Sequence, residues 1–394
     1  MMEAKDGKVR KREKGKAQMR SVLVTLKLGA ALTLTISLMG CAMGQSPGGQ
    51  ADPDASAGQG RLTVVEGSGP KPDQGIVVKA IHRLEGANIE QWLSDDELQI
   101  SLTKLVKPGT AIEEPKYEYS SQKVNLDSNE QTATTDQVDS NMVRKKQISP
   151  DGQYSFIQQW QDKYTARNFI ENRGTGQVTE LHEDNYLEQG SWLNNDTYVL
   201  AAGSMQGPGP ILSIHVDGTI TPLPLQDPEL DSFTSFGAGQ DRIYYTDNKG
   251  VLKQLQPGVA QPTELLKNVV NFELSPDGKH LAVETTPVPG QAGSELRMFD
   301  SNGSAESISI AKGDLIPYIA WSPDSTKLAA ALYTEDSRGM NGVYILDSTS
   351  GKVSPIGLNY FPQFPLSWNP SGTRLGVTID GQDGLPMTQI IDFK

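Results

Sequence analysis

The chain has 394 residues and a formal net charge of −13, with 35 Lys and Arg against 48 Asp and Glu. Its single Cys excludes a fold built on disulfide bonds. From residue 41 onward the chain carries 26 basic and 45 acidic residues, which argues against nucleic acid as a partner and against a basic surface that docks on anionic lipid.

The first forty residues have the organisation of a secretory signal peptide. Residues 1–27 carry nine Lys or Arg, and the apolar run at 28–39 is shorter than the roughly 20 residues of a membrane span. The run ends in Leu38-Met39-Gly40-Cys41, which resembles the bacterial lipobox. The resemblance implies that the signal peptide ends at residue 40 and that Cys41 is lipidated. Met19 is an alternative start, because residues 20–27 already form a basic region.

The lipobox resemblance also implies a location. Residue 42 is Ala and not the Asp that resembles an inner-membrane retention signal. We therefore expect an extracytoplasmic protein anchored to the bilayer through acylated Cys41, at the outer membrane of a Gram-negative cell or the outer face of a Gram-positive membrane. Residues 42–60 contain one large apolar residue, Met43, so we expect a flexible tether over 41–74 and a folded domain over 75–394.

A polar turn recurs along the folded domain. Ile148-Ser-Pro-Asp-Gly152, Leu274-Ser-Pro-Asp-Gly-Lys-His-Leu281, Trp321-Ser-Pro-Asp-Ser-Thr-Lys-Leu328 and Trp368-Asn-Pro-Ser-Gly-Thr-Arg-Leu375 share one pattern. Ser, Pro, Asp and Gly are typical of a type I turn between two strands. The turn residues assigned a structural role are Pro150, Asp151, Pro276, Asp277, Pro323, Asp324 and Pro370.

Weaker copies begin at Trp92, Trp192 and Phe236, so seven units begin at positions 92, 148, 192, 236, 274, 321 and 368. A strand-rich unit of about 40–45 residues is typical of one propeller blade. The sequence thus predicts an all-β fold, a β-propeller of seven blades with four antiparallel strands each, with six blades as the alternative. We expect the recurring Trp to pack in the core between blades, with ligand stacking as the alternative.

The two ends of the domain complement each other. Gly75 precedes Trp92 by 17 residues, and Gly351 precedes Trp368 by the same 17. Residues 75–84 therefore resemble the last strand of a blade, whereas the final repeat stops before its own last strand. We expect residues 76–82 to pair with the strand around 388–392 and close the ring, because closure removes an exposed sheet edge.

Residues 103–144 interrupt the regular spacing. Lys116–Tyr119 could be the third strand of the first blade, and Gln131–Ser140 reads as a loop. The segments 103–144, 203–210, 286–294 and 334–342 all follow the second strand of their units. Equivalent loops emerge on the same face of a propeller, so we expect these four to line one rim.

No catalytic or cofactor motif is present, and we expect no cofactor. No two His stand at metal-ligand spacing among His82, His182, His215 and His280. Asp380-Gly-Gln-Asp-Gly384 weakly suggests a Ca²⁺ loop, but a hairpin turn is the ordinary interpretation. The sequence therefore predicts no metal site.

The four strong turns, each followed by an apolar strand, resemble the TolB-type, WD40-like propeller repeat over roughly 75–394. The resemblance implies an extracytoplasmic binding module that holds a protein partner, although TolB's separate N-terminal domain is missing. Oligogalacturonate lyases also resemble the seven-repeat pattern, but their His-rich metal site is not matched. Propeller peptidases need a hydrolase domain that this chain lacks.

Two functional hypotheses remain open. The first is a monomeric, lipid-anchored binding or scaffold module for a protein or cell-envelope partner on one rim. The second is an enzyme of lyase or hydrolase type, or a carbohydrate-binding protein, with its site in the central channel.

Overall fold

The computed structural model describes residues 62–66, 76–110, 113–133, 144–160, 165–181, 189–202, 209–287, 293–301, 307–335, 339–356, 361–381 and 384–394. These residues form 29 β-strands and no helix. Accordingly, no helix in this part of the chain is long and apolar enough to cross a membrane. The signal peptide, Met19 and Cys41 lie outside the described residues.

Two strands precede the first complete sheet, and each of the next three sheets follows as one continuous stretch of sequence. The leading strands are β1 (Leu62–Glu66) and β2 (Val78–Glu85). Blade one contains β3 (Ala87–Trp92), β4 (Glu97–Lys107), β5 (Lys116–Asn125) and β6 (Gln131–Ala133). Blade two contains β7 (Arg144–Ile148), β8 (Tyr154–Trp160), β9 (Ala166–Asn172) and β10 (Val178–Leu181). Blade three contains β11 (Gln189–Trp192), β12 (Thr197–Ala201), β13 (Ile211–His215) and β14 (Ile220–Pro222).

The remaining strands form three further complete blades and the start of a seventh. Blade four contains β15 (Ser235–Gly239), β16 (Arg242–Thr246), β17 (Leu252–Leu255) and β18 (Thr263–Leu266). Blade five contains β19 (Val269–Leu274), β20 (His280–Thr285), β21 (Ser294–Asp300) and β22 (Ser307–Gly313). Blade six contains β23 (Leu315–Trp321), β24 (Lys327–Tyr333), β25 (Gly342–Asp347) and β26 (Val353–Pro355). The chain ends with β27 (Ser367–Trp368), β28 (Arg374–Asp380) and β29 (Pro386–Phe393).

Each blade is an antiparallel sheet, and in blades one to six the strands pair in chain order. Six of the seven sheets have four strands, and the strand order of the seventh is β1-β2-β29-β28-β27. This arrangement confirms the predicted all-β propeller with seven blades and excludes the six-blade alternative.

The seventh blade closes the ring as the sequence predicts. Strand β2 pairs with β29 in a register that runs from Val78 opposite Phe393 to Glu85 opposite Met387. The first strands of the domain thus complete the sheet that the last strands begin, and the β29 edge is paired.

One boundary of the predicted tether is wrong. Within the range 41–74, Leu62–Glu66 is strand β1, which pairs antiparallel with β2 from Leu62 opposite Leu84 to Glu66 opposite Ala80. Blade seven therefore has five strands, because β2 offers a second edge that β1 covers. The short sequence Leu-Thr-Val-Val-Glu is typical of a strand, since β-branched residues fit a pleated surface.

The prediction that 103–144 is a single irregular segment is wrong, because this range contains two strands of blade one. Lys116–Tyr119 is part of β5, which confirms the predicted third strand. Gln131–Ala133 is the outer strand β6, so the predicted loop over 131–140 begins with a strand instead. Strand β6 pairs only with Gln122–Val124 of β5.

Apolar cores lie between neighbouring blades. Six clusters of buried side chains join blades two to three, three to four, and so on round to the junction of seven with one. Between blades six and seven, for example, Ala331 and Ile345 pack in the same cluster as Leu375 and Val377. The described residues of blades one and two share no such cluster. There, Gln99 is buried and donates hydrogen bonds to Glu90 and Ser121.

A network of charges crosses the closure. Arg374 of β28 forms ion pairs with Asp392 of β29 at 3.0 Å, and with Asp96 and Asp127 of blade one at 2.6 and 2.8 Å. Asp392 also lies 3.3 Å from Nε2 of His82 on β2, 310 residues away in sequence. The network therefore links the first strands, the last strands and the first complete blade.

The charge network predicts acid sensitivity of the closed ring. Burial alone would raise the pKa of Asp392, but the hydrogen bond with His82 and the charge of Arg374 outweigh it, and the pKa lies below its ordinary value of 3.8. A carboxyl group whose pKa is lower in the folded than in the unfolded protein stabilises the fold at pH values above its unfolded pKa. That stability is lost as the pH falls through the folded-state pKa. The melting temperature should therefore fall more steeply below about pH 4 in wild type than in Asp392→Asn. Parallel pH profiles for the two proteins would contradict this assignment.

Candidate functional site

The two faces of the ring differ in the connections they carry. The links from first to second strands, such as Ser322–Thr326, and from third to fourth strands emerge on one side, which we call the turn face. The links from second to third strands, such as Thr334–Asn341, and those between blades emerge on the other side, which we call the loop face. This follows from the antiparallel pairing, because successive strands of a blade run in opposite directions.

On the turn face, the recurring motif forms the same local structure in each strong copy. In blade six, Oγ of Ser322 donates to Asp324, which accepts from the amide of Thr326 at 3.1 Å. The same Oγ accepts from the amide of Lys327 at 2.9 Å, and the amide of Ser325 donates to the carbonyl of Ser322 at 2.8 Å. Asp151 and Asp277 occupy equivalent positions in blades two and five. These contacts form the link between the first and second strands in blades two, five and six.

The turn residues assigned from the sequence leave out the residue before each Pro, whose side chain also holds the turn together. The residue before each Pro is buried and bonds to the turn, and these residues are Ser149, Ser275, Ser322 and Asn369. Their signal was present in the sequence, because Ser or Asn precedes Pro in all four strong copies and the side chains of both residues commonly bond to the backbone of a turn.

The turns also bond to one another around the ring. The bonds run from Asn194 Nδ2 to Asp241 Oδ1 at 2.8 Å, from Gln240 Nε2 to the Asp277 carbonyl at 2.8 Å, from the Asp277 amide to Ser325 Oγ at 2.9 Å, from Lys327 Nζ to the Gly372 carbonyl at 3.3 Å, and from the Ser371 amide to Asp95 Oδ1 at 2.7 Å. These contacts link blades three, four, five, six, seven and one in order. The turn face thus uses much of its polar surface to hold the ring together.

Ser325 illustrates this use. It adopts φ of 61° at the position where the other strong copies have Gly. A left-handed conformation strains a residue with a Cβ. The Oγ of Ser325, however, accepts a hydrogen bond from the amide of Asp277 in the neighbouring blade, and Gly has no side chain that could form this bond.

The recurring Trp side chains connect the same neighbours from inside. Trp321 Nε1 donates to the Glu273 carbonyl at 3.2 Å, and Trp368 Nε1 to the Ala320 carbonyl at 3.0 Å. In each case the acceptor is the residue directly before the first residue of the preceding repeat unit, which is Leu274 for Trp321 and Trp321 for Trp368. In the same way, Trp192 Nε1 donates to the Gln147 carbonyl and Trp92 Nε1 donates to the Ser367 carbonyl. Trp321 is 8% exposed, so its predicted role in core packing is confirmed, and its hydrogen bond to the preceding blade is an additional finding.

The loop face carries most of the exposed apolar side chains. Of the twelve large exposed apolar residues in the described part of the chain, seven lie on it: Val106, Tyr117, Tyr119, Val270, Leu315, Tyr333 and Phe364. Tyr333 and Phe361 meet edge to face with ring centroids 5.5 Å apart. The apolar rings therefore gather on the loop face of blades six and one, which are both adjacent to blade seven.

Blade one extends beyond the others on the loop face. Counted from the turn, β24 of blade six ends at the position equivalent to Thr103, whereas β4 continues to Lys107. The four extra residues extend the strand by about 13 Å. We call residues 104–107 and 116–119 the arm. Tyr119 is 70% exposed and Val106 is 59% exposed, so the arm presents apolar side chains to solvent.

The predicted rim loops are only partly described. The arm lies within the predicted segment 103–144, and the residues 203–208, 288–292 and 336–338 of the other three segments lie outside the described residues. The bounding strands place 203–210, 286–294 and 334–342 between the second and third strands of their blades, as predicted. Of the segment 103–144, only residues 108–115 lie there, because the rest contains β5 and β6.

The most compact buried cluster of charges lies in blade four. Lys253 Nζ lies 2.8 Å from Asp227 and 3.0 Å from Asp247, and Tyr245 donates to Asp227 at 2.8 Å. Burial and the Asp227 hydrogen bond raise the pKa of the Tyr245 phenol far above its ordinary value. Because all four side chains are almost inaccessible to solvent, the cluster fastens the 223–234 connection to blade four and offers no open site.

The histidines do not converge. His82, His215 and His280 lie in blades seven, three and five, and His182 lies outside the described residues. Among the described residues, no group of three His, Cys, Asp or Glu side chains could hold a metal ion. Gly381 and Gly384 belong to the hairpin turn between β28 and β29, in which the Gly381 amide donates to the Leu385 carbonyl at 2.7 Å.

Comparison with known proteins supports the fold. No family model matches the sequence, and no curated protein matches it. An oligogalacturonate lyase in complex with manganese has a TM-score of 0.53 at 9% identity, covering 85% of this chain and 97% of that chain. Oligogalacturonate lyase from Vibrio parahaemolyticus has a TM-score of 0.51 at 10% identity, with the same coverage. TolB from Acinetobacter baumannii has a TM-score of 0.38 at 13% identity, covering 75% of this chain and 80% of that chain.

These similarities define the class of protein and no more. At such low identity they show a β-propeller, and the TolB score is too low to carry an argument. Membership of the TolB-type repeat family remains a prediction from the turn sequences.

The turn and Trp contacts predict graded losses of stability. Trp321→Ala removes a buried ring and should lower the free energy of unfolding by about 3–5 kcal/mol. Asp324→Ala removes local turn bonds and should lower it by about 1 kcal/mol. Trp321→Phe keeps a ring without the indole donor to Glu273 and should fall between the two. Urea unfolding measures all three. A Trp321→Ala protein that unfolds like wild type would overturn the core assignment.

Proposed function

We propose that this chain is a membrane-anchored, extracytoplasmic lipoprotein whose propeller binds a protein or cell-envelope partner on the loop face. The observation that carries the proposal is the uneven use of the two faces. The turn face carries hydrogen bonds at five successive blade junctions, whereas the loop face carries them at fewer junctions and presents seven of the twelve large exposed apolar side chains of the described residues. Exposed apolar side chains on a rigid face, aromatic ones in particular, are groups that a protein partner can bury.

The charge of the chain supports a partner other than nucleic acid. The region from residue 41 onward has an excess of 19 acidic over basic residues. Phosphate groups would be repelled by this charge, and affinity for nucleic acid comes largely from Lys and Arg. Aromatic side chains such as Tyr333 and Phe364 are instead typical of protein interfaces.

The anchor is tested at Cys41. Cys41→Ala should release the protein from the membrane fraction or stall removal of the signal peptide, because the thiol is the predicted lipid attachment site. Membrane fractionation and gel migration report both outcomes, with Met43→Ala as the matched control. A Cys41→Ala protein that fractionates and migrates like wild type would place the anchor elsewhere.

The loop face is tested by paired substitutions. The triple variant Leu315→Ser, Tyr333→Ser, Phe364→Ser should lower recovery of crosslinked envelope partners at least tenfold. The matched triple variant Val178→Ser, Val259→Ser, Ile308→Ser changes exposed apolar residues on the turn face and should recover the wild-type set. Thermal melting of both variants checks the fold. Equal partner recovery from the two variants would contradict the proposal.

The competing hypothesis is an enzyme or carbohydrate-binding protein with a site in the central channel. Two fold neighbours are oligogalacturonate lyases, one in complex with manganese, but the similarity reaches only the fold. Incubation with oligogalacturonate and manganese, followed by detection of unsaturated sugar products, distinguishes the hypotheses. Turnover by wild type that survives the loop-face substitutions would favour the enzyme.

A further inference from the structure

A lysine and two aspartates meet in a buried cluster on one face of blade four. Tyr245 stands directly opposite Lys253 in the pairing of β16 with β17, so their side chains are neighbours on the same face. Asp247 follows Tyr245 by two residues and its side chain points the same way. Asp227 comes from the connection between blades three and four, and its carboxyl group contacts both Lys253 and Tyr245.

Water has almost no access to these contacts. The side chains of Lys253, Asp227 and Asp247 are 3%, 4% and 1% exposed. Phe233 of the same connection meets the Tyr245 ring edge to face, with the ring centroids 5.3 Å apart. Two carboxylates and one ammonium leave an excess negative charge in this apolar interior, and buried charge is costly even when it is paired.

The amine of Lys253 lies against the carboxyl group of Asp227. Nζ is 2.9 Å from Oδ1 and 2.8 Å from Oδ2, and because Cγ joins these two oxygens, Nζ contacts the carbon as well. Tyr245 donates to Oδ2 of Asp227 at 2.8 Å, and Oδ2 of Asp247 lies 3.0 Å from Nζ. The cluster therefore holds a nucleophile, an electrophile, a donor to the carbonyl oxygen and a second carboxylate in mutual contact.

We propose that an amide bond forms between the side chains of Lys253 and Asp227 within the folded protein. Nζ bonds to Cγ, one Cγ–O bond breaks, and one molecule of water leaves. Atoms and charges balance, because an ammonium and a carboxylate together give a neutral amide and water. The fold supplies the driving geometry, since holding the two groups in contact replaces a bimolecular encounter.

The protons move along contacts that are present in the cluster. Burial opposes the charge on Lys253, but hydrogen bonds with Asp227 and Asp247 outweigh it and raise the pKa of the amine, so the amine begins protonated. Nζ first passes a proton to Oδ1 of Asp227, which leaves a neutral amine and a neutral carboxyl group. As Nζ attacks, Asp247 accepts a second proton from it and returns that proton to the departing oxygen. Tyr245 stabilises the negative charge that develops on the other oxygen.

The surroundings of the two carboxyl groups assign them different roles. Oδ1 of Asp247 accepts the backbone amides of Lys249 and Val251 at 2.9 and 3.0 Å, and such bonds favour the ionised form that a base needs. Asp227 accepts one longer backbone bond, from the amide of Glu229 at 3.2 Å. Amide formation at Asp227 removes one charge of each sign from the interior and leaves the carboxylate of Asp247 with its two backbone donors.

The bond would close a covalent loop over residues 227–253. It would attach the connection between blades three and four to β17, the third strand of blade four, at a point where the ion pairs already fasten it. This inference goes beyond the proposed function and does not depend on it, because no partner takes part in the reaction.

Peptide mapping of the purified full chain tests the bond. Trypsin does not cleave after an acylated lysine, so peptides 174–242 and 250–267 should be recovered joined and lighter than their sum by one water. Fragmentation should place the bond between Asp227 and Lys253. The pair of Lys279 with Asp277 is an internal control, because its charged atoms are 3.1 Å apart but its side chains are 65% and 33% exposed. Trypsin should cleave after Lys279.

Four variants separate the chemistry from packing. Lys253→Met keeps an unbranched side chain without an amine and should give no joined peptide. Asp247→Asn removes the base and should slow joining by about 10²-fold or more. Tyr245→Phe removes the donor to the carbonyl oxygen and should slow it by about 10²-fold. Glu229→Gln changes an exposed carboxylate beside the cluster and should join at the wild-type rate. Digests taken during cell-free synthesis measure the rate, and melting curves identify the variants that fold.

The wild-type map decides the bond itself, whether or not each variant folds. Recovery of peptides 174–242 and 250–253 as separate species from the wild-type protein would overturn the inference. A bond from Lys253 to Asp247 instead of Asp227 would overturn the assignment of the electrophile. A folded Asp247→Asn protein that joins at the wild-type rate would contradict the role of Asp247 as the base.

Discussion

The pairing of β2 with β29 is the contact on which the ring depends. Every other sheet is assembled from one continuous stretch of chain, so its strands meet soon after they are made. Blade seven instead joins residues that lie about 310 positions apart, such as His82 and Asp392. The closure joins the first and last strands of the described chain and fixes blade seven against blade one. Arg374 forms ion pairs on both sides of this junction, a buried one with Asp392 and a more exposed one with Asp96. Ile390 of β29 packs in one cluster with Leu98 and Ile100 of blade one.

Within the ring, one repeat performs two tasks. The turn residues shape the hairpin, and they also bond to the turn of the next blade, as Ser325 does with Asp277. Trp321 and Trp368 also have two roles between the blades. Each ring packs in the core, and each indole N–H donates a hydrogen bond to the preceding blade. Seven of the twelve large exposed apolar side chains of the described residues lie on the opposite, loop face.

The sequence predicted what is local or periodic. The Pro-containing turns and the repeat length gave the blade count, and the matched 17-residue spacing gave the closure, because each depends on residues close together or one repeat apart. The missed features depend on pairing across space. Strand β1 is recognisable only once β2 offers a free edge, and β6 is too short for a sequence pattern. The arm was predicted only in part. Lys116–Tyr119 was predicted as a strand, but its pairing with residues 103–107 depends on a contact across space that the polar sequence does not indicate. The Arg374 network joins residues without a shared motif.

The central claim, closure by β2, is tested most directly by truncation. A protein that begins at residue 61 retains both leading strands, one that begins at residue 76 retains β2 alone, and one that begins at residue 86 retains neither. Thermal unfolding followed by circular dichroism and tryptophan fluorescence should give one sharp, coincident transition for the first protein and a modestly lower one for the second. The third protein should unfold broadly and at much lower temperature, because the β29 edge and the Arg374 network lose their partner strand. A protein that begins at residue 86 and melts like the longest one would contradict the account.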